Sequence, residues 1–152
     1  MPEEISRLLH NGSEIIVQTW TDRVMSDRRV YSDARLSYLQ LVDHIPQILE
    51  EIRDALAREP EYAARPTQGQ KHGRIRWQQG YELKEVVREL MLLRTTLMEF
   101  IETYRGALQN KQASQIMQAY RRINSFMDEE LYRTIEAYLE SGQVAPAAEV
   151  MA

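Results

Sequence analysis

Cysteine is absent from this 152-residue chain. That excludes a disulfide framework, a thiolate zinc site and a cysteine nucleophile. Glycine and proline are scarce, at 6 and 5. No apolar run is longer than Leu90–Leu93, far short of the ~20 residues that span a bilayer, so membrane insertion is not expected. The first 25 residues lack a signal-peptide core. With only three histidines a His-rich metal site has little material, and no metal site is expected. Positive charge is not in excess: the net charge is −4, which argues against a nucleic-acid binder. What is present is ordinary globular composition, 43% hydrophobic and 28% charged. These bounds describe one cytoplasmic domain with a real core.

Leu, Glu, Arg, Gln, Met and Ala fill long stretches free of Gly and Pro, and no stretch alternates in strand fashion. The expected fold class is all-α, about five helices arranged as a bundle or in globin-like packing. The first helix is predicted over residues 2–25, with a kink or a fresh start at Asn11-Gly12-Ser13. A short second helix follows over 34–42. A third begins at Asp43-His44-Ile45-Pro46, with Asp43 as cap and Pro46 in the first turn, and runs to about Arg58. Residues 59–70 read as the main loop. A long fourth helix is predicted over 70–104, with Gly73 and Gly80 inside it. Glycine there means close approach of another helix, a bend, or space for a ligand. Gly106 reads as a C-cap, and a fifth helix covers 111–141. Residues 1–142 form the expected domain, and 143–152 a frayed tail or the start of a linker.

Residues 63–81 contain no acidic side chain, while Arg65, Lys71, Arg74 and Arg76 are basic. This positive island lies at a predicted helix N-terminus, where the helix dipole disfavours cations. Either it is a solvated or salt-bridged helix start, or something negative comes close: a carboxylate from another helix, a partner, or an anionic ligand. His72 and Arg76 are four apart and share a helix face, with Gln79 near it. His72 reads as a hydrogen-bonded core residue, a switch or small-ligand residue, or a haem ligand. His44 reads as a capping or surface residue, or as a ligand. The candidate ligand or switch set is His72, Arg76, Gln79, Tyr81, Arg94 and His44. No Glu-x-x-His pair, Gly-rich phosphate loop, Gly-x-Ser-x-Gly or His-Glu-x-x-His occurs, so no positive case for an enzyme exists. In the last helix, Ile116, Tyr120, Ile123, Met127 and Leu131 approach a heptad seam, which serves either as core or as a two-fold interface. With Trp20 they form the candidate dimer interface.

The run His72-Gly73-x-x-Arg76-x-x-Gln79-Gly80-Tyr81-x-Leu83-x-Glu85-Val86-Val87-x-Glu89-x-x-x-Leu93-Arg94 resembles the N-terminal sensor domain of RsbRD-type proteins. These are stressosome co-antagonists, and the same domain precedes the kinase core of many histidine kinases. Trp20 and Asp43-His44-Ile45-Pro46-x-Ile48-Leu49 agree with it, and the resemblance covers roughly residues 1–140. It implies an all-α, globin-like input domain without bound haem. It also implies a homodimer whose last helix passes a signal to an output domain. It supplies no ligand. Nothing resembling a kinase core or a phosphoacceptor segment follows Ala152, so the expected chain is either a sensor portion or a stand-alone version.

Overall fold

The computed structural model describes the backbone of residues 2–58, 67–108 and 113–151, and every described element is helical. The helices are α1 (Pro2–Asn11), α2 (Ser13–Ser26), α3 (Tyr38–Val42), α4 (Ile45–Ala57), α5 (Gln68–Gln78), α6 (Leu83–Tyr104) and α7 (Ala113–Met151). Two short 3-10 turns lie at Ser32–Arg35 and Arg105–Ala107. The all-α expectation holds. The helices pack as α1 on α4, α2 on α6, and α7 against α4, α5 and α6, the α5–α7 contact being the most extensive.

The expected first helix is interrupted at Gly12, where the space a Cβ would fill is taken by the Phe100 ring. The expected second helix is instead a 3-10 turn followed by α3. At the start of α3, Ser37 Oγ accepts from the Gln40 N–H and Gln40 Oε1 accepts from the Ser37 N–H. This reciprocal pair satisfies two N–H groups that the first turn would otherwise leave free. Asp43 does not cap α4: the residue before its first turn is His44, and no side chain caps there. Pro46 does sit in that first turn, where its missing N–H costs nothing.

The largest departure concerns the predicted fourth helix, which is two helices. The chain breaks between Gln78 and Leu83, where Gly80 has φ +82°. That left-handed geometry costs an L side chain roughly 1–2 kcal/mol and costs glycine nothing. The α6 start is then fixed by Glu85, whose carboxylate accepts from the Glu82 N–H at 2.8 Å. At its other end Gly106 lies inside a 3-10 turn, where a C-cap was expected. Gly69, assigned to a loop from sequence, belongs to α5. The last helix does not stop at Gly142. It continues through Pro146 to Met151, covering the segment expected to fray.

The buried apolar residues form one cluster from Ile5 to Met127. Burying each such Val, Leu, Ile, Phe or Met is worth about 1.5–3 kcal/mol. Trp20, Ile123 and Met127 lie at its centre, each at most 1% exposed, and Tyr120 and Leu131 pack half-buried on its edge. Ile116 is half-buried. Three residues of the expected dimer interface, Trp20, Ile123 and Met127, are therefore part of the chain's own core. Trp20, Ile123 and Met127 have no surface left to offer another subunit, because α7 turns this stripe inward onto α4, α5 and α6.

Candidate functional site

The polar centre of the molecule is built on Arg76. It leaves α5 fully buried, and its guanidinium meets the Glu89 carboxylate of α6 in a two-pronged ion pair at 3.0 and 3.0 Å. Its remaining N–H groups donate to the carbonyls of Gln40 and Leu41 and to Gln79 Oε1. The Tyr81 ring lies 4.8 Å from the guanidinium carbon. A planar five-donor fork suits this arrangement, since no donor is wasted. Burial pushes the Glu89 carboxyl up to about 7, against the Arg76 guanidinium, which favours its charge. Burial likewise raises the Tyr81 hydroxyl, which has no hydrogen-bond partner among the described residues. Glu89 also anchors α2, because its backbone carbonyl accepts the Trp20 indole N–H at 2.9 Å.

Beside this centre two histidines meet ring to ring. The His44 and His72 centroids are 4.4 Å apart, and His44 Nε2 is hydrogen-bonded to His72 Nδ1. His44 Nδ1 also lies 3.2 Å from Asp43 Oδ2. With both rings neutral the tautomers follow. His44 Nδ1–H donates to Asp43, His44 Nε2 accepts from His72 Nδ1–H, and His72 Nε2 is left as a bare acceptor. That nitrogen is buried without a hydrogen-bond partner among the described residues. Burial pushes His44 down to about 4, with Arg76 and Lys71 adding to the fall and Asp43 opposing it. Burial holds His72 well below its ordinary range, and the neighbouring His44 and Arg76 add to that. His44 is thus a core residue and not a surface one. It stands at the N-cap position of α4, where its carbonyl accepts from the Ile48 N–H and its side chain makes no capping bond.

Five of the six candidate residues are brought into this region: His44, His72, Arg76, Gln79 and Tyr81. Arg94 is not. It lies on the far half of α6 and bonds Asp128 of α7 at 2.7 Å near the surface. The acidic partners were not singled out from sequence. Glu89 stands within the recognised run, but its distance of thirteen residues from Arg76 crosses the break at Gly80, which periodicity alone cannot show. Glu85 is a second such residue. Its oxygens accept from the Tyr31 and Ser32 N–H groups and from Ser32 Oγ, tying the 3-10 turn to α6. Burial alone would raise its carboxyl, but the donors on Glu82, Tyr31 and Ser32 hold it below the usual range.

The basic island also finds its counter-charges inside the fold. Arg76 takes Glu89. The free N–H groups at the α5 start take Glu51 of α4, which accepts from Thr67 N–H at 2.8 Å and Gln68 N–H at 3.1 Å. A carboxylate from another helix, one of the expected possibilities, fills this place. Lys71 and Arg74 point to solvent. Arg65 lies outside the described residues.

At the α5–α7 crossing, a Cβ on Gly69 would sit 2.7 Å from the Glu130 carbonyl oxygen, and one on Gly73 2.3 Å from that of Thr134. Two glycines four apart let the helix backbones touch. Glu130 is buried there, and neither carboxylate oxygen has a hydrogen-bond partner among the described residues. Burial pushes its carboxyl up to about 8, with the Glu51 carboxylate adding to the rise.

The buried polar centre thus joins α3, α5 and α6 of an all-α domain whose last helix is long. The profile of the RsbT co-antagonist protein rsbRD N-terminal domain matches residues 14–147, and the chain belongs to this family. It is therefore a signalling domain of the RsbR type, a kind that functions in complexes with partner proteins. No curated protein and no solved structure gives a significant match. Among the described residues no helix is long and apolar enough to cross a membrane.

Proposed function

We propose that this is a non-enzymatic, cytoplasmic input domain that works as a homodimer and passes its state through α7 to an output domain, attached or separate. An RsbR-like regulator or a sensor histidine kinase is the setting. The observation that carries this reading is the placement of α7. It is the longest helix at 39 residues, it touches α4, α5 and α6, and it extends beyond all of them in sequence. A shift of α5 against α7 at the glycine crossing would move the outgoing end as one rod, and a ligand or partner that favours one position would bias the output. Molar mass by light scattering over a concentration series tests the dimer. Twice 17.9 kDa, persisting on dilution, is the expected result, and a monomer at every concentration overturns it.

A second reading has one observation in its favour. His72 Nε2 is buried with no hydrogen-bond partner among the described residues, the condition of an atom that could meet a ligand or a haem iron. A hemin titration of the wild type and of His72→Ala decides it. A Soret band lost in the variant supports haem, and no band in either removes it.

A further inference from the structure

The surface opposite the core carries two complementary strips. On α6, Leu83, Val87 and Met91 stand at i, i+4 and i+8 and form the floor of an open groove of about 650 Å3. Such a row is the ridge that packs into a neighbouring helix. Here no described helix covers it, and Met91 is 47% exposed. Arg28 and Arg29 from the loop after α2, together with Lys84, line the groove with positive charge. Arg88 also lines it, held by Asp27 at 2.9 Å.

The outer face of α7 has the opposite character. Tyr132, Glu136, Leu139 and Glu140 are exposed at i, i+4, i+7 and i+8, one helix face. Tyr132 and Leu139 are 64% and 49% exposed, unusually open for large apolar groups, and the flanking charges are acidic.

The two strips lie side by side. α6 and α7 run antiparallel: the Tyr138 hydroxyl donates to the Tyr81 carbonyl just before α6, and Arg94 bonds Asp128 further along. Met91 lines both the basic groove and a second depression between the helices that Asp128 and Leu131 close from α7. One continuous face thus has a basic half, an apolar middle and an acidic half. Rotation by 180° about an axis through the middle lays the acidic half of one copy on the basic half of the other, twice, and the contact closes at two subunits.

We propose that this face is where two copies of the chain meet, with the α7 strip of each seated in the α6 groove of the other. This rests on the dimer reading above and replaces the seam that the core has absorbed.

The test is a charge swap. Variant A carries Arg28→Glu, Arg29→Glu and Lys84→Glu. Variant B carries Glu136→Lys and Glu140→Lys. Each alone sets like charges together at both contacts, whereas an A–B pair is complementary at both. Light scattering should give a dimer for wild type, at least a tenfold weaker association for A or B alone, and a recovered dimer for the equimolar mixture. Circular dichroism confirms that both variants keep their helices. If A and B stay as dimeric as wild type, or if the mixture fails to recover, the face is wrong while the dimer reading stands. If wild type is monomeric, that reading itself fails. Zero-length carbodiimide cross-linking of the wild type is a second check that needs no variant. It should join Lys84 to Glu136 or Glu140 between copies, and a dimer band lacking such links overturns the proposal.

Discussion

Glu89 and Glu130 are both glutamates buried to 0% exposure, and the protein treats them in opposite ways. Glu89 faces a guanidinium that spends two N–H groups on it, so a charge is kept inside by full pairing. Glu130 faces helix backbone and has no bonded oxygen, so it is kept inside as a neutral carboxyl. A paired buried charge is costly to break. An unpaired buried acid is cheap to replace but ties stability to pH. The first kind of site fixes the arrangement of α3, α5 and α6. The second sits where α5 meets the outgoing helix, the contact the proposed function needs to be adjustable.

The largest effect should come from breaking the paired site. Arg76→Ala leaves Glu89 buried without its partner and should cost about 3–5 kcal/mol in urea unfolding. Replacing both residues by apolar ones, Arg76→Met with Glu89→Leu, should cost less than Arg76→Ala alone. If the double variant is the worse, the centre contributes more than charge compensation.

Next in size is the helix crossing. Gly73→Ala places a methyl 2.3 Å from the Thr134 carbonyl oxygen, and backbone cannot yield as a flexible side chain would. A loss of about 1–3 kcal/mol is expected. An unchanged melting temperature would show that α5 and α7 separate easily, which would strengthen the case for movement there.

The pH slopes of the buried glutamates and of the buried histidines differ in sign. The folded-state pKa of Glu130 is raised, to about 8. Its contribution is therefore fully present below the unfolded value near 4.5 and is lost as pH rises through 8. Glu130→Gln should flatten stability against pH over that window, while Glu89 keeps its own slope up to its value near 7. His44 and His72 are depressed, so their effect runs the other way. Stability is intact above the ordinary histidine value near 6.5 and falls as pH drops toward 4. His72→Gln should soften that acid limb. Chemical denaturation at intervals from pH 4 to 9 measures both slopes. The smallest effect belongs to the surface: Asp128→Asn removes the Arg94 pair and should cost under about 1 kcal/mol.

Much of the fold was legible because helix propensity and apolar spacing are local properties. Residues 2–25, the α4 start with Pro46 in its first turn, and the stripe of α7 all follow from periodicity. The break at residues 79–82 was not legible, since good helix formers lie on both sides and only Gly80 marks it. There the backbone closes α5, with the Gly80 N–H on the Trp77 carbonyl and the Tyr81 N–H on that of Arg76. In the same way a heptad-like stripe reads identically as core or as interface. Which of the two it is depends on what lies opposite, and for Ile123 and Met127 that is the chain's own core.

The candidate site was legible in part. His72, Arg76 and Gln79 were grouped by helical spacing, and the structure keeps them together. Their partners Glu89 and His44 lie 13 and 28 residues away across breaks between helices, and no local pattern reports a contact across such a gap.

The sequence by itself determined the helical class, the buried stripes and the need for a counter-charge near the basic island, because composition and period act residue by residue. Only the tertiary structure decided which carboxylates answer Arg76 and the α5 start, which glutamate remains unanswered, and which apolar residues stay exposed. Those outcomes depend on distances between helices, and such distances exist only once the chain has folded.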